Sequence, residues 1–268
     1  MQTNTYEGLH IVNTSQSIIS DDLVVEAPLQ ININQEAYTV VMRTPGNDQE
    51  LVLGLLYAED IYKKDIPVSF EIIEEKYDIP SIINLTIEIE NLGDGYMNKR
   101  TLLSVSSCGI CGKQKLEDLK TKGDAIEKSV SFSSENLLNM FAPLQEYQTI
   151  FKKTGGSHAA GIFNHHHELM TIKEDIGRHN AVDKCVGDLI LKKNLHKGTY
   201  LLVSGRVSYE IISKAFLAKI PVIVAVSACS SMAVDYAKEF GICLIGFSRG
   251  SKMTVYSNPS FLNSKRLK

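Results

Sequence analysis

Thr199-Tyr200-Leu201-Leu202-Val203-Ser204-Gly205-Arg206 is an apolar run of strand length that closes on serine, glycine and arginine. The residues beyond it decide the fold class. Residues 208–219 read as a helix, and Ile220-Pro221-Val222-Ile223-Val224-Ala225-Val226 as a strand buried on both faces by its β-branched run. Residues 230–240 read as a second helix and residues 242–247 as a third strand. A β-α-β-α-β order predicts an α/β fold with a largely parallel sheet covered on both faces. In such sheets ligands bind where strand C-termini meet helix N-termini.

Upstream, residues 158–163 read as a strand, 164–167 as a turn and 169–176 as its partner. Gly177-Arg178-His179-Asn180 then opens a helix that runs to Leu191. The first part of the chain is strand-rich. Leu29-Gln30-Ile31-Asn32-Ile33-Asn34 alternates apolar and polar residues, Asn34-Gln35-Glu36 turns, and residues 37–43 complete a hairpin. Thr44-Pro45-Gly46-Asn47 breaks the pattern, and Asp48 is read as the N-cap of a helix carrying residues 50–57. Further strands are expected at residues 68–74 and 83–89. Residues 113–119 suggest a short helix or partial disorder, and Ser134 is read as the cap of a helix over residues 135–141. The domain boundary is placed near residue 125, giving a strand-rich part over 1–125 and an α/β part over 126–268.

The 268 residues suffice for a proper core. A net charge of -3 argues against a general nucleic-acid binder but allows a local basic pocket. No apolar run is long enough to span a bilayer, and the N-terminal sequence lacks the basic start and apolar stretch of a signal peptide. With five cysteines and no secretion signal, a reducing cytoplasm is expected rather than a disulfide framework.

Two of those cysteines stand out in Ser106-Ser107-Cys108-Gly109-Ile110-Cys111-Gly112. Thiols at this spacing serve redox chemistry, metal ligation or sulfur carriage, and the two glycines free the backbone around them. Structural zinc needs four ligands, commonly from two such pairs, and no second pair exists here. A thioredoxin-like dithiol would open a helix inside a small βαβ domain, whereas this pair falls between the two parts of the chain. A mobile nucleophilic thiol fits better. Arg100, Lys113 and Lys115 are placed to favour the thiolate, its reactive form. Cys185, Cys229 and Cys243 lie in apolar or helical settings and read as small buried hydrophobes.

A second constellation is a set of turns at expected strand ends. They are Thr154-Gly155-Gly156-Ser157-His158, Asp175-Ile176-Gly177-Arg178-His179-Asn180, Ser204-Gly205-Arg206-Val207-Ser208 and Ser248-Arg249-Gly250-Ser251-Lys252. Three of them share a logic: glycine lets backbone N–H groups approach an anion, the following helix adds its positive end, and arginine supplies a fork. Taken singly, each is an ordinary turn or cap. Taken together, they describe a pocket for a phosphorylated or otherwise anionic ligand. His179, among Asp175, Arg178, Asn180 and Asp183, suits a general acid or base, a phosphate ligand or a structural cap equally. His165-His166-His167 reads as a solvated turn.

These motifs resemble the formate dehydrogenase accessory sulfurtransferase (FdhD) family. The resemblance rests on Arg100, the Cys108–Cys111 loop, Thr154-Gly155-Gly156-Ser157-His158, Glu174-Asp175-Ile176-Gly177-Arg178-His179-Asn180-Ala181-Val182-Asp183-Lys184, Ser204-Gly205-Arg206, and Phe247-Ser248-Arg249 with Met253-Thr254-Val255-Tyr256. It implies a sulfur relay. A cysteine desulfurase loads sulfur onto Cys108 as a persulfide, and Cys111 assists transfer or resolves the intermediate. The acceptor is Mo-bis(molybdopterin guanine dinucleotide), bound as cargo on its way to formate dehydrogenase. The stretch Phe247, Ser248, Arg249, Gly250, Ser251 and Lys252 matches the family's cofactor-binding segment, and Gly177, Arg178, His179, Gly205 and Arg206 join it as candidate binding residues. The family further implies a cytidine-deaminase-like three-layer α/β/α core, with a smaller strand-rich N-terminal domain, and a homodimer. Zinc deaminases need H-x-E and P-C-x-x-C at neighbouring helix starts. The corresponding starts here lack them, so no bound metal is expected and the cleft reads as an anion pocket. Two rival readings stand beside the sulfurtransferase: a non-catalytic molybdenum cofactor chaperone and a thiol-disulfide oxidoreductase.

Overall fold

The computed structural model describes residues 2–62, 66–97, 123–127 and 130–262. The chain opens with an antiparallel ribbon, β1 (Thr3–Val12) and β2 (Ser15–Val24), turned at Asn13 with φ 55°. Most of its side chains are exposed on both faces. A ribbon that buries neither face carries no period-two signal, and the first strand expected from sequence begins only at Leu29.

A four-stranded sheet comes next. β3 (Ala27–Ile33) and β4 (Glu36–Arg43) form a hairpin whose turn residues, Asn34 and Gln35, both take positive φ, as its tight two-residue loop requires. β5 (Ser69–Lys76) pairs antiparallel with β6 (Ile79–Thr86), and β6 lies parallel to β3, giving the order β4-β3-β6-β5. Between β4 and β5 runs α1 (Asp48–Ala58), and α2 (Asp94–Met97) is a single turn after β6. The N-cap of α1 is Asn47 rather than Asp48. Asp48 is buried instead, because it forms a two-pronged pair with the fully buried Arg43 guanidinium at the end of β4.

The second half begins with α3 (Ser134–Asn139), α4 (Phe141–Tyr147) and α5 (Thr149–Thr154). Ser133, one residue before the expected Ser134, caps α3 by accepting from the Asn136 N–H. Then come β7 (His158–Phe163), β8 (Leu169–Asp175), α6 (Arg178–Leu191), β9 (Tyr200–Val203), α7 (Tyr209–Leu217), β10 (Val222–Ala225), α8 (Ser231–Glu239), β11 (Cys243–Arg249) and β12 (Lys252–Val255). The six strands form one sheet in the order β12-β11-β10-β9-β7-β8. The expected parallel pairing holds only for its centre, β9-β10-β11. The flanks are antiparallel because β7–β8 and β11–β12 are hairpins, and β7 enters beside β9 in the opposite sense. The sheet is therefore mixed.

Period-two alternation divides the sheet's side chains between two cores. Leu201 and Val203 of β9 join α1, α6, α7 and α8 in one buried cluster, while Tyr200 and Leu202 join α3 and α4 in the other. The crossovers β9-α7-β10 and β10-α8-β11 advance in one direction along the sheet, so right-handed connections put both helices on the same face. The first cluster is continuous with the four-stranded sheet, since it also holds Leu29, Ile31, Ile83 and Leu85.

α1 and α6 cross at close range. A methyl on Gly54 would overlap the Asp183 main-chain carbonyl, and one on Gly187 would overlap that of Glu50. Glycine at both positions lets the two backbones touch. Among the described residues no helix is long and apolar enough to cross a membrane.

Candidate functional site

The four glycine-containing turns fall on one edge of the six-stranded sheet. β8 ends there at Asp175, and β7, antiparallel to it, starts there at His158, in register with Asp175. β9 ends there because Ala160 of β7 stands opposite Val203. Ser204 fastens the junction: its N–H donates to the Ala159 carbonyl, and its hydroxyl accepts from the Ala159 N–H. Parallel pairing brings the ends of β10 and β11 to the same edge.

Asp175 is the anchor. It is fully buried and ion-paired at 2.7 Å with the fully buried Lys184. One carboxylate oxygen accepts from the Gly177 N–H and the Asn180 amide, the other from the Thr44 N–H and Lys184. Lys184 also donates to the Thr44 carbonyl, and the Thr44 hydroxyl accepts from the Ile176 N–H. Thr44 thus ties the β4–α1 connection to the start of α6. Its only sequence signal is its place in Thr44-Pro45-Gly46-Asn47, which reads simply as a breaker.

Gly177 is the N-cap of α6, and Arg178 is its first residue. Arg178 is half-buried, and its Nε is buried with no hydrogen-bond partner among the described residues. His179 is buried, with Nε2 at 2.9 Å from a Glu210 carboxylate oxygen and 3.2 Å from the Ser208 hydroxyl. Ser208 also donates to Glu210. Burial pushes the Glu210 carboxyl up, but hydrogen bonds from His179 and Ser208 and the charges of His179 and Lys214 outweigh it and hold Glu210 below its ordinary value. Glu210 lies in the first turn of α7 and is absent from the motifs singled out in sequence. Behind it, Lys214 pairs with buried Asp183. Burial nevertheless leaves the Asp183 carboxyl above its ordinary value.

Gly205 is buried against two side chains: a Cβ there would stand 3.2 Å from His158 Nδ1 and 3.4 Å from Arg178 Cβ. Arg206, next in sequence, is exposed. Arg178, His179 and Arg206 all lie close enough to act electrostatically on His158. This brings Gly177, Arg178, His179, Gly205 and Arg206 into one basic cluster.

The Phe247–Lys252 stretch lies farther along the same edge. Phe247 is 49% exposed, at a bulge where φ reaches +51°, and its N–H donates to the Ser227 carbonyl. Arg249 is exposed, and its Nε donates to the Val226 carbonyl. Ser248 between them is 2% exposed, with a buried hydroxyl that has no partner among the described residues. Gly250 supplies a left-handed turn at φ +56°, and Ser251 and Lys252 are exposed. The loop after β10 connects this group to the basic cluster, because the Val207 N–H donates to the Ala228 carbonyl and the Ser230 N–H to the Val207 carbonyl.

Cys108 and Cys111, with Arg100, Lys113 and Lys115, lie outside the described residues. The three other cysteines are unsuited to nucleophilic work. Burial raises the thiols of Cys185, Cys229 and Cys243, Cys229 to about 11 and Cys243 to about 12, and Cys185 donates to the Ala160 carbonyl. In the three-histidine turn, the His165 and His166 ring centroids lie 3.7 Å apart with the planes tilted by 44°, while His167 Nε2 meets the Tyr200 hydroxyl at 3.2 Å. That turn joins the far end of the β7–β8 hairpin, away from the basic cluster.

Comparison with known proteins agrees across most of the chain. A model of the FdhD/NarQ family matches residues 24–263. The protein named sulfur carrier protein FdhD from Sulfolobus acidocaldarius is 40% identical over 242 residues, spanning 90% of this chain and 91% of that one. The protein of the same name from Sulfurisphaera tokodaii is 36% identical over 268 residues, spanning 96% and 98%. In fold, the chain is similar to the crystal structure of a putative formate dehydrogenase accessory protein from Desulfotalea psychrophila. The TM-score is 0.77 at 20% identity, over 98% of this chain and 100% of the other.

Proposed function

The chain belongs to the FdhD/NarQ family, and from that premise we propose that it is a sulfur carrier for formate dehydrogenase that works as a sulfurtransferase. Cys108 takes the sulfane sulfur of a cysteine desulfurase persulfide: its thiolate attacks the outer sulfur, the donor S–S bond breaks, and the desulfurase leaves as thiolate. Cys108 then carries the persulfide to Mo-bis(molybdopterin guanine dinucleotide), where the Cys111 thiolate attacks the Cys108 sulfur and the S–S bond breaks. The outer sulfur passes to the cofactor as sulfide before the cofactor enters formate dehydrogenase. The resulting Cys108–Cys111 disulfide is reopened by a cellular thiol reductant before the next round. The raised thiols of Cys185, Cys229 and Cys243 leave the loop pair as the chain's candidates for this chemistry.

The observation that carries the binding half of this reading is the buried Nε of Arg178 at the start of α6, which has no hydrogen-bond partner among the described residues, on a side chain packed at Gly205. A buried guanidinium nitrogen left without an acceptor is costly. A phosphate oxygen of the guanine dinucleotide would satisfy it, with Gly177, His179, Gly205 and Arg206 around it. The buried Ser248 hydroxyl, without a partner among the described residues, supports the Phe247–Lys252 stretch as the second contact region. The same proposal takes the six-stranded sheet as the central layer of a cytidine-deaminase-like α/β/α core, and the protein as a cytoplasmic homodimer.

The test is mass spectrometry of the full chain after incubation with a cysteine desulfurase and isotope-labelled cysteine. Labelled sulfur is expected on the peptide containing Cys108, removable by reductant and lost in Cys108→Ala. A Cys108→Ala variant that still activates formate dehydrogenase would instead establish a cofactor chaperone.

A further inference from the structure

His158 is the titratable side chain at this edge that the glycine-arginine turns do not account for. It opens β7, half-buried, with its ring packed against the main chain of Gly205. The missing side chain at Gly205 is what lets the imidazole and the Arg178 stem meet there, since a Cβ would crowd both. The charged groups facing it are Arg178 and His179 from α6, Arg206 from the β9–α7 connection, and Asp175 from β8. Both oxygens of Asp175 are already occupied by Lys184, Thr44, Gly177 and Asn180, so that carboxylate is committed elsewhere. The imidazole and the Arg178 stem therefore meet at Gly205, Arg206 follows it directly in sequence, and the Arg178 Nε is buried without a partner among the described residues.

Resting on the reading that this edge binds the phosphates of a guanine nucleotide, we propose that His158 is the third ligand of the phosphate site, beside Arg178 and Arg206, and takes up one proton as the phosphate enters.

Repulsion accounts for the empty state. Burial first, then the positive charges of Arg178, His179 and Arg206, hold the imidazole below its ordinary value of 6.5, against a weaker opposite pull from Asp175. The ring is neutral near pH 7, and the pocket is spared a further positive charge beside two arginines. A diphosphate reverses that field. An anion within about 4–6 Å favours the protonated imidazole. Once charged, the ring donates a charge-assisted hydrogen bond that the neutral tautomer makes only weakly. The complex then holds one proton more than its separated parts, so affinity falls as pH rises through the imidazole's value in the complex. A multiply charged phosphate gains most from this arrangement, and a carboxylate less.

Calorimetric titration of GDP into the full-length protein at pH 7, in buffers of different ionisation enthalpy, counts the protons. Uptake approaching one proton per GDP is expected. NMR titration of the His158 ring should show its value rising when GDP is bound. In His158→Gln the uptake should vanish, and affinity at pH 6.5 should fall by roughly ten-fold, the size of one charge-assisted hydrogen bond. GDP binding without proton uptake, or with uptake that persists in His158→Gln, overturns the role of His158 and leaves the nucleotide site standing. Failure of both GDP and inorganic pyrophosphate to bind at any pH overturns the site itself, and this inference with it. The persulfide assay on Cys108 is independent of either result.

Discussion

Asp175 and Arg178 belong to one short motif and lie in one corner of the molecule, yet their surroundings are opposite. Asp175 is fully buried and both oxygens are engaged, by Lys184, Thr44, Gly177 and Asn180. Arg178 is half-buried and keeps a buried Nε with no partner among the described residues. A charge whose partners all come from the protein holds the backbone in place. A charge left incomplete in an otherwise satisfied neighbourhood points to something the protein binds. The first kind supports the second here, since Asp175 fixes the Gly177 N–H and the start of α6 from which Arg178 projects.

Breaking the completed side of this comparison should have the largest effect. Lys184→Met removes the ammonium and leaves Asp175 charged in a site with no exposure, which costs about 3–5 kcal/mol. Urea unfolding should show a loss of that size, with GDP binding lost as α6 and the β4–α1 connection separate. A loss under about 1 kcal/mol, the worth of a single neutral hydrogen bond, would mean that Asp175 is held by its other donors alone. Gly187→Ala tests the same scaffold from farther along α6, because a methyl there meets the Glu50 carbonyl. Overpacking of this kind costs about 1–3 kcal/mol, and a variant as stable as the parent would show that α1 and α6 can separate freely.

The same contrast explains what could be read from the chain before its structure. The edge residues Gly177, Arg178, Gly205 and Arg206 are legible because glycine, arginine and strand ends recur together in sequence. Thr44 is not, since its role depends on pairing with Ile176 and Lys184 across the molecule. Glu210 escaped for a similar reason: an acid in the first turn of α7 looks like an ordinary helix start until His179 is found against it. Local periodicity found β7, β8, β9, β10 and β11. It did not show that β7 enters antiparallel beside β9, because strand direction depends on where the connection lands rather than on side-chain pattern. The β1–β2 ribbon was invisible for want of a buried face.

On the incomplete side, smaller effects on stability should accompany larger effects on binding. Arg206 is exposed, so Arg206→Ala should change stability by no more than about 0.5 kcal/mol. If it contacts a phosphate, GDP affinity should drop by about ten-fold, the value of one charge-assisted contact. Unchanged affinity would remove Arg206 from the site. Gly205→Ala is intermediate, because the added methyl displaces His158 and Arg178 by a few tenths of an ångström without entering the core. Its expected signature is weakened GDP binding at near-native stability, and thermal unfolding with and without GDP separates the two.

The smallest effect is on the pH dependence of the ligand-free protein. His158 sits below its ordinary 6.5 in the folded state, so the unfolded chain takes up a proton there first as pH falls. The associated stability is fully present above 6.5 and is lost as pH drops from 6.5 through the folded value. Glu210, also held low, has the same sign but only in the carboxylate range, from 4.5 downward. The two windows therefore open at different pH, 6.5 for His158 and 4.5 for Glu210. Denaturant midpoints measured from about pH 7.5 to about pH 5, a range that brackets the ordinary imidazole value, should decline in the native protein and decline less in His158→Gln, with the difference between the curves isolating this one group. Saturating GDP should shrink that difference or reverse its sign, because the proton the empty pocket resists is the one the occupied pocket holds. Parallel curves for the two proteins, with and without GDP, would mean that His158 senses neither the arginines beside it nor the ligand.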